Sequence, residues 1–218
     1  MPDQLRPTPY PGYDVLSKRH TPSWNAITRE AVNARLAVSD TPRFFTAAEF
    51  ATVKAIADRI VPQPRDRPPV PVPALVDHKL HVGRSEGYRH AGMPREREAW
   101  RLGLRALDAE AQSRHGQSFR QIPPNEQDEL LKQMQEGEMK DPAWEGMPPK
   151  TFFKERMAHD LVFAYYCHPT AWNEIGWGGP AAPRGYVRMG FNGRDPWEAA
   201  EVKDGDVESA RRKNRNVG

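Results

Sequence analysis

Proline is the residue that most restricts how this chain can fold. The sequence contains 22 prolines, about double the usual share of a globular chain. From residue 62 to residue 73 they recur at almost every second position, and because proline fixes φ and lacks a backbone donor, we predict an extended, polyproline-like connector there. Residues 1–22 are similarly proline-rich and predict an extended arm, which either wraps its own domain or reaches a neighbouring protein.

Apolar residues between the proline-rich stretches recur at helical spacing. The clearest pattern is a capping box formed by Thr46 and Glu49, followed by Phe50, Val53 and Ala57, which predicts a helix over residues 46–61. Ser23 is the expected N-cap of an earlier helix. The most aromatic helix is expected from Thr151 until Pro169 closes it, after which periodicity is lost.

These patterns predict an all-α protein with no alternation of strands and helices. We expect a single compact helical domain of about five or six helices over residues 23–197, with proline-rich connectors and an irregular C-terminal segment. Residues 198–218 are polar and predict a flexible tail.

Charge and cysteine content exclude several classes of function. The net charge is only +3, and the one basic cluster lies in residues 211–215, which is typical of a solvated tail, so we expect no nucleic-acid partner. Cys167 is the single cysteine, so the chain holds no internal disulfide, cysteine-based zinc site or cysteine-ligated iron–sulfur cluster. A disulfide between chains and a free thiol both remain open.

The sequence also predicts neither export by its own signal nor a membrane span. The stretch from Met1 to Tyr10 has no apolar run and no twin-arginine pair. We therefore expect a cytoplasmic protein, or a periplasmic one if a partner carries the export signal. No stretch approaches the roughly 20 apolar residues of a spanning helix.

Motifs of catalysis and cofactor binding are missing from the sequence. It contains no G-x-G-x-x-G, Walker A, H-E-x-x-H or G-x-S-x-G motif, so we predict no catalytic, cofactor-binding or metal-binding residue. Cys167 and His168 are neighbours at a helix end, where side chains usually point apart. One alternative is a metal-dependent enzyme that uses His78 and His81, which needs a third ligand from His90 or Asp77.

A segment rich in tryptophan and glycine, from residue 168 to residue 188, has a different character. Tryptophan, tyrosine and arginine dominate protein interfaces, and glycine lets another backbone approach closely. The side chains either plug the domain's own core or dock a larger protein, and both interpretations remain open. The predicted partner-binding residues are Trp172, Asn173, Glu174, Trp177, Arg184, Tyr186 and Arg188.

Several stretches carry a resemblance to a known family. They are residues 44–49, the run Ala57-Asp58-Arg59-Ile60-Val61-Pro62, Leu104 with Leu107 and Asp108, residues 119–131, and the late Trp-Gly-Gly-Pro segment. Over residues 44–197 the chain resembles the small subunit of the gluconate 2-dehydrogenase family. Residues 7–36 and 168–188 look closer to a branch associated with oxidation of glucosides or similar sugars.

The resemblance implies a partner and not a reaction. Such subunits accompany a large flavoprotein of the glucose–methanol–choline (GMC) oxidoreductase type, which carries FAD, oxidises a sugar, polyol or sugar acid, and often passes electrons to a c-type cytochrome subunit with haem c. The leading hypothesis is therefore a non-catalytic small subunit that binds, stabilises and helps mature that flavoprotein. Another alternative is a free adaptor that recruits partners through residues 64–73.

Overall fold

The computed structural model describes residues 8–65, 67–182, 185, 195 and 197–215. Their helices are α1 (Ala26–Leu36), α2 (Ala47–Ile60), α3 (Val72–His81), α4 (Glu96–His115), α5 (Pro124–Glu136), α6 (Pro149–Phe152), α7 (His159–Tyr166), α8 (Pro169–Ile175) and α9 (Val207–Arg215). Two 3₁₀ turns lie at Val15–His20 and Pro142–Trp144. The described residues form no β-strand, so the predicted all-α class is confirmed.

The chain divides into two compact units. The first combines Met1–Ala37 with Tyr166–Gly218, and the second is the continuous stretch Val38–Tyr165. Helices beyond the five or six predicted are mostly short, such as α6 with 4 residues and α8 with 7. No helix in the described part of the chain is both long and apolar enough to cross a membrane.

Helix α2 forms where the capping pattern predicts it. The Thr46 hydroxyl accepts a hydrogen bond from the Glu49 N–H at 3.2 Å, and the Glu49 carboxylate accepts one from the Thr46 N–H at 2.8 Å. These two bonds satisfy donors that a helix start leaves without partners. Val53 and Ile56 are buried on one face, so the helix is fixed by both its cap and its packing.

The proline-rich connector lies along its own unit. Gln63 exchanges two hydrogen bonds with the backbone of Val70, at 2.7 and 2.9 Å, and closes the connector into a loop. Val70 and Val72 are buried. The described part of the connector therefore serves to join α2 to α3 and bury two valines, which gives no support to its use as a recruiting segment.

Aromatic rings fill the core of the second unit. The Trp100 ring on α4 meets Phe45 and Phe152 edge-on, each with a centroid distance of 5.8 Å. Edge-to-face pairs of this kind are favoured by the ring quadrupole. Gly103, one turn after Trp100, leaves room for the Phe152 ring, which occupies the space that a Cβ would need.

The aromatic helix predicted after Thr151 is interrupted in the structure. Helix α6 ends at Phe152, and a π-helical segment at Phe153–Ala158 precedes α7. A π turn carries an extra residue compared with an α turn, and here Arg156 and Met157 are buried within it. The apolar spacing of the sequence predicted a helix here. It did not predict the π-helical turn, in which Arg156 forms ion pairs with Glu86 and Glu96.

The first unit buries the N-terminal arm against later parts of the chain. Tyr13, Val15, Trp24, Val32 and Trp172 form its core cluster. The backbone pairs at a parallel bridge, where the Asn25 N–H donates to the Ala182 carbonyl at 2.8 Å. The described arm therefore wraps its own unit, one of the two predicted alternatives.

Three boundaries in the first unit differ from the sequence-based expectation. The cap of α1 is Asn25 and not Ser23, since the Asn25 side chain accepts from the Thr28 N–H at 2.8 Å. Pro169 begins helix α8 instead of ending a helical region, because proline suits a first helical position. Within residues 198–218, helix α9 forms, and buried Asn214 donates to the Pro11 and Ala200 carbonyls at 3.0 and 2.9 Å.

Replacing Gly103 with alanine tests the packing of α4. A Gly→Ala change inside a helix normally stabilises it by about 0.5–1 kcal/mol, but a Cβ at Gly103 would overlap the Phe152 ring. We expect Gly103→Ala to lower the free energy of unfolding by about 1–3 kcal/mol, measured by urea denaturation. The control Ser113→Ala, exposed on the same helix, should stabilise slightly. A stabilising Gly103→Ala would contradict the close approach.

Candidate functional site

The predicted partner-binding segment is built on α8, and its first tryptophan is a core residue. The Trp172 side chain is only 2% exposed and belongs to the core cluster of the first unit. Its indole N–H donates to the Tyr166 carbonyl at 2.7 Å, and the Arg35 guanidinium lies 5.8 Å from the ring centroid. Trp172 therefore fills the core, as the plug alternative predicts for this residue.

The second tryptophan of the segment is at the surface. Trp177 is 42% exposed, and the nearby Ile175 is 49% exposed. The Trp177 ring meets the Trp172 ring edge-on, with a centroid distance of 4.8 Å. The backbone N–H of Trp177 donates to the Trp172 carbonyl at 3.0 Å. Ile175 and Trp177 are together called the Trp177 surface below. It is an apolar surface whose exposed indole rests on a buried one.

Asn173 and Glu174 join this segment to the N-terminal arm. The Asn173 side-chain oxygen accepts from the Val15 N–H at 2.7 Å. The Glu174 carbonyl accepts from the Thr8 hydroxyl at 3.4 Å. Both residues are partly buried, and the contacts above are within the chain, so their role toward a partner stays a prediction. Arg184, Tyr186 and Arg188 lie outside the described residues.

Two glycines of the segment, Gly176 and Gly179, are required by close approaches inside the first unit. Gly176 ends α8 with a φ of +65°, and the Tyr10 ring occupies the space that a Cβ would need. Gly179 has a φ of +67°, and a Cβ there would lie 3.1 Å from atoms of Trp172 and Val15. Only glycine adopts these angles without strain and leaves this room. The positions of Gly176 and Gly179 thus reflect internal packing of the first unit.

A buried lysine supports the same segment. Lys18, 1% exposed, donates from its ammonium to the Gly178 carbonyl. Burial lowers the pKa of Lys18 to about 8, although the charges of Glu198 and Asp195 act in the opposite direction. The loop that carries Trp177 is therefore held by a cation whose charge is costly to bury.

The second unit contains a cluster of ion pairs beside the π-helical segment. The Lys79 ammonium lies 2.8 Å from Asp160 and 3.2 Å from Glu86. The Arg156 guanidinium lies 3.2 Å from Glu86 and 3.1 Å from Glu96. Asp160 is buried and also accepts from the Trp100 indole N–H at 2.8 Å. The cluster joins α3, α4, α7 and the π-helical segment.

Opposite charges in this cluster stabilise the ionised forms. Burial lowers the pKa of Lys79, but the hydrogen bond and charge of Asp160 outweigh burial and raise it overall. Burial likewise raises the pKa of Glu86, but the hydrogen bond and charge of Lys79 lower it overall. Each group is held in its charged form at neutral pH, so the cluster is organised as structural ion pairs.

Metal binding by the cluster conflicts with the position of Lys79. Ligand atoms of Glu86, His159 and Asp160 lie within 4.8 Å of one another, a spacing that suits a metal ion. However, the Lys79 ammonium contacts two of these three carboxylate or imidazole groups. A metal ion would meet a fixed positive charge there, so the geometry fits an internal ammonium better than a metal.

The alternative metal site predicted from the histidines is not assembled. The His78 ring nitrogen lies 2.7 Å from the Arg43 guanidinium, and burial followed by the charge of Arg43 lowers the His78 pKa. Asp77 accepts three backbone N–H bonds, from residues 43 to 45. His90 lies 3.2 Å from Glu155. Within the described residues, His78 and His81 belong to no group with metal-ligand spacing.

The neighbouring residues Cys167 and His168 show no arrangement that favours nucleophilic chemistry. Burial raises the pKa of the Cys167 thiol, and the charge of Arg35 offsets this only in part. The neutral thiol is the weaker nucleophile. His168 caps α8, since its Nδ1 accepts from the Thr170 N–H at 3.3 Å. The two neighbours therefore have separate structural roles.

Sequence reasoning missed the ion-pair cluster. Its members come from residues 79, 86, 96, 156 and 160, which share no local spacing. The one local signal was Asp160 within the most apolar helix of the chain, where a carboxylate requires a partner because an unpaired buried charge is costly. That signal identifies a buried charge but not Lys79 or Trp100 as its partners.

Removing Lys79 should destabilise the second unit strongly. Lys79→Met leaves the buried Asp160 carboxylate without its ammonium, and breaking a buried pair costs about 3–5 kcal/mol. We expect that loss in urea denaturation at pH 7. The control Asp128→Asn removes the exposed pair with Arg59 and should cost at most about 1 kcal/mol. Equal costs for both variants would show that the cluster contributes no more than a surface pair.

The lowered pKa of Lys18 should make stability rise with pH. Between about pH 8 and the ordinary lysine value of 10.5, the folded chain loses the Lys18 proton while the unfolded chain keeps it, so the unfolded state binds more protons and alkaline pH favours folding. We expect a gain of about 3 kcal/mol across this range, measured by urea denaturation at pH 7 to 10.5. Lys18→Met lacks the titrating group, and its pH profile should be flatter; parallel profiles would contradict the assignment.

Comparison with known proteins places these features in a family. The model of the family described as gluconate 2-dehydrogenase subunit 3 matches residues 47–179, which is more than half of the 218 residues. The match runs from the first residue of α2 to Gly179 and includes the ion-pair cluster and both Trp172 and Trp177. No curated protein and no solved structure matches the chain. This chain therefore belongs to the gluconate 2-dehydrogenase subunit 3 family.

Proposed function

We propose that this chain is a non-catalytic small subunit that binds, stabilises and helps mature a large GMC-type flavoprotein. The family is named for a subunit of a dehydrogenase, which supports a role within a larger complex. In this proposal the large subunit carries FAD and oxidises the CH–OH group of a sugar, polyol or sugar acid. A c-type cytochrome with haem c is the proposed electron acceptor of the complex.

The observation that carries the docking proposal is the exposed indole of Trp177. Tryptophan is among the residues that contribute most to protein interfaces, particularly when it enters a pocket of the partner. Trp177 is 42% exposed although its ring packs on buried Trp172. Ile175 adds apolar area beside it in sequence. The Trp177 surface therefore offers an anchor of suitable chemistry on a folded support.

The support of Trp177 reduces the entropic cost of docking. Immobilising a mobile side chain costs about 0.5–1.5 kcal/mol on binding. The Trp177 ring already packs on the Trp172 ring, and its backbone is fixed because the backbone N–H of Trp177 donates to the Trp172 carbonyl. Lys18 fixes the following residue, Gly178. A partner would thus meet an indole in a defined orientation, which favours affinity through preorganisation.

A non-catalytic role is consistent with the pKa shifts of Lys79, Glu86 and Lys18. The pKa values of Lys79 and Glu86 move so as to keep both groups charged in ion pairs. General acid–base catalysis instead requires a group whose pKa lies near the working pH and which reaches the substrate. Lys18 has a pKa of about 8, but it is buried and its ammonium is bound to the Gly178 carbonyl. Lys79 and Glu86 thus stabilise the fold as ion pairs, and Lys18 is bound to the backbone within the chain.

Assembly with the flavoprotein tests the proposal. We expect Trp177→Ala to weaken binding of the proposed GMC-type flavoprotein partner by about 30-fold or more, because an interface hot spot contributes about 2 kcal/mol or more. Binding is measured by interferometry on the purified subunits, together with flavin content after co-expression. Trp172→Ala is less informative, since it also opens a cavity in the first unit.

Ile27→Ala is the matched control for Trp177→Ala. Ile27 is 75% exposed on α1 of the same unit and is not part of the Trp177 surface, and its loss should change the affinity less than about twofold. Full affinity of Trp177→Ala would place the docking surface elsewhere. Failure of the wild-type chain to bind, with no effect of its omission on flavin content or dye reduction, would contradict the proposed function itself.

A further inference from the structure

A cavity in the second unit is lined by an unusual number of arginines. It has a volume of about 710 Å³ and lies between the loop that follows α3 and the first turns of α4. This volume is in the usual range for small-molecule sites, about 300–1,000 Å³. Phe44 and Tyr88 contribute aromatic surface. Its arginines are Arg84, Arg89, Arg95, Arg97, Arg101 and Arg156.

Two of these arginines are neutralised within the chain. Arg156 pairs with Glu96, another residue of the cavity wall, at 3.1 Å. Arg101 lies 3.6 Å from Glu49 and donates to the Phe44 carbonyl at 2.8 Å. Their charges are therefore balanced by carboxylates already present, and they contribute little to an excess of positive charge.

The remaining arginines leave the cavity positively charged. Among the described residues, no carboxylate lies within ion-pair distance of the Arg84, Arg89 or Arg95 guanidinium groups. Arg97 lies over the Phe44 ring, 5.1 Å from its centroid. Glu98 is the other acidic residue of the wall, and it accepts from the Arg95 N–H at 3.4 Å. Four arginines of the wall are thus without an ion pair among the described residues, against one such glutamate, Glu98.

This arrangement favours an anion inside the cavity. Like charges gathered in a concave site repel one another and concentrate the field that attracts counter-ions. Guanidinium groups are planar donors that bind carboxylate and phosphate in a bidentate manner. The Phe44 ring contacts the guanidinium groups of both Arg97 and Arg101, with centroid distances of 5.1 and 4.6 Å, which orients one of the unpaired groups before a ligand arrives.

We propose that this cavity binds a small molecule with two or more negative charges, carried by carboxylate or phosphate groups. The site lies in the continuous second unit and uses none of the residues of the Trp177 surface. The proposed ligand site therefore shares no residue with the proposed docking surface. It gives the chain a small-molecule ligand of its own, with the unpaired arginines as the anion-binding groups and Phe44 and Tyr88 as the apolar wall.

Calorimetric titration of the full chain with inorganic pyrophosphate and, separately, with citrate tests this proposal. Both titrations use the same ionic strength, so that general screening is equal. We expect at least one probe to bind at a single site per chain. Pyrophosphate alone identifies a phosphate ligand, citrate alone identifies a carboxylate ligand, and binding of both supports recognition of either group. Binding of neither probe at millimolar concentration overturns the proposal.

Paired variants assign the binding to the cavity. Arg84→Gln with Arg89→Gln should weaken binding at least about tenfold, because each removes a charge-assisted contact. Arg105→Gln with Lys132→Gln removes the same charge from exposed positions outside the cavity and should change affinity less than about twofold. Equal losses in the two double variants overturn the proposal. The single variant Arg89→Gln, expected to lose part of the affinity, serves if the double variant does not fold.

Discussion

The buried carboxylate of Asp160 is the constraint on which the second unit depends. Burying a charge within the apolar helix α7 is costly unless hydrogen-bond donors or an opposite charge compensate it. The Lys79 ammonium and the Trp100 indole N–H both contact the Asp160 carboxylate. Since these side chains come from α3 and α4, one carboxylate fixes the relative positions of three helices. The π-helical segment then places Arg156 beside Glu86 and Glu96, so the helix irregularity and the ion pairs belong to the same arrangement.

Trp172 has the corresponding place in the first unit. Its ring packs with Tyr13, Val15, Trp24 and Val32, and the glycines at 176 and 179 exist because other side chains must approach it or its neighbours closely. The exposed ring of Trp177 rests on this core. An indole at the surface is therefore coupled to the stability of the unit below it, and the same segment supplies both a core residue and a surface residue.

Local patterns predicted the fold class and the clearest helix, but not the contacts between distant residues. Thr46 and Glu49 are three residues apart, and their reciprocal bonds could be inferred from spacing alone. Trp172 and Trp177 lie in the same tryptophan- and glycine-rich segment, so the sequence does not distinguish them. Only the three-dimensional packing shows that Trp172 is buried and Trp177 is exposed. The cavity arginines also escaped notice, because a sequence of mixed charge does not show which arginines have carboxylate partners. The prediction that Pro169 closes a helical region was wrong for a different reason. Proline can end a helix, but it also suits the first position of one.

The discontinuous first unit has a consequence for the order of events during synthesis. The Val202 N–H donates to the Pro9 carbonyl at 2.8 Å, and Asn214 on α9 donates to the Pro11 carbonyl at 3.0 Å. Closing contacts across almost the whole chain is entropically costly and slow, whereas residues 38–165 can fold as soon as they leave the ribosome. The arm must wait, with Tyr13 and Trp24 uncovered, until the later residues of the first unit have been synthesised. In a nascent chain the second unit is thus able to fold before the support of Trp177 exists, and a partner that recognises Trp177 would select chains in which the first unit has closed.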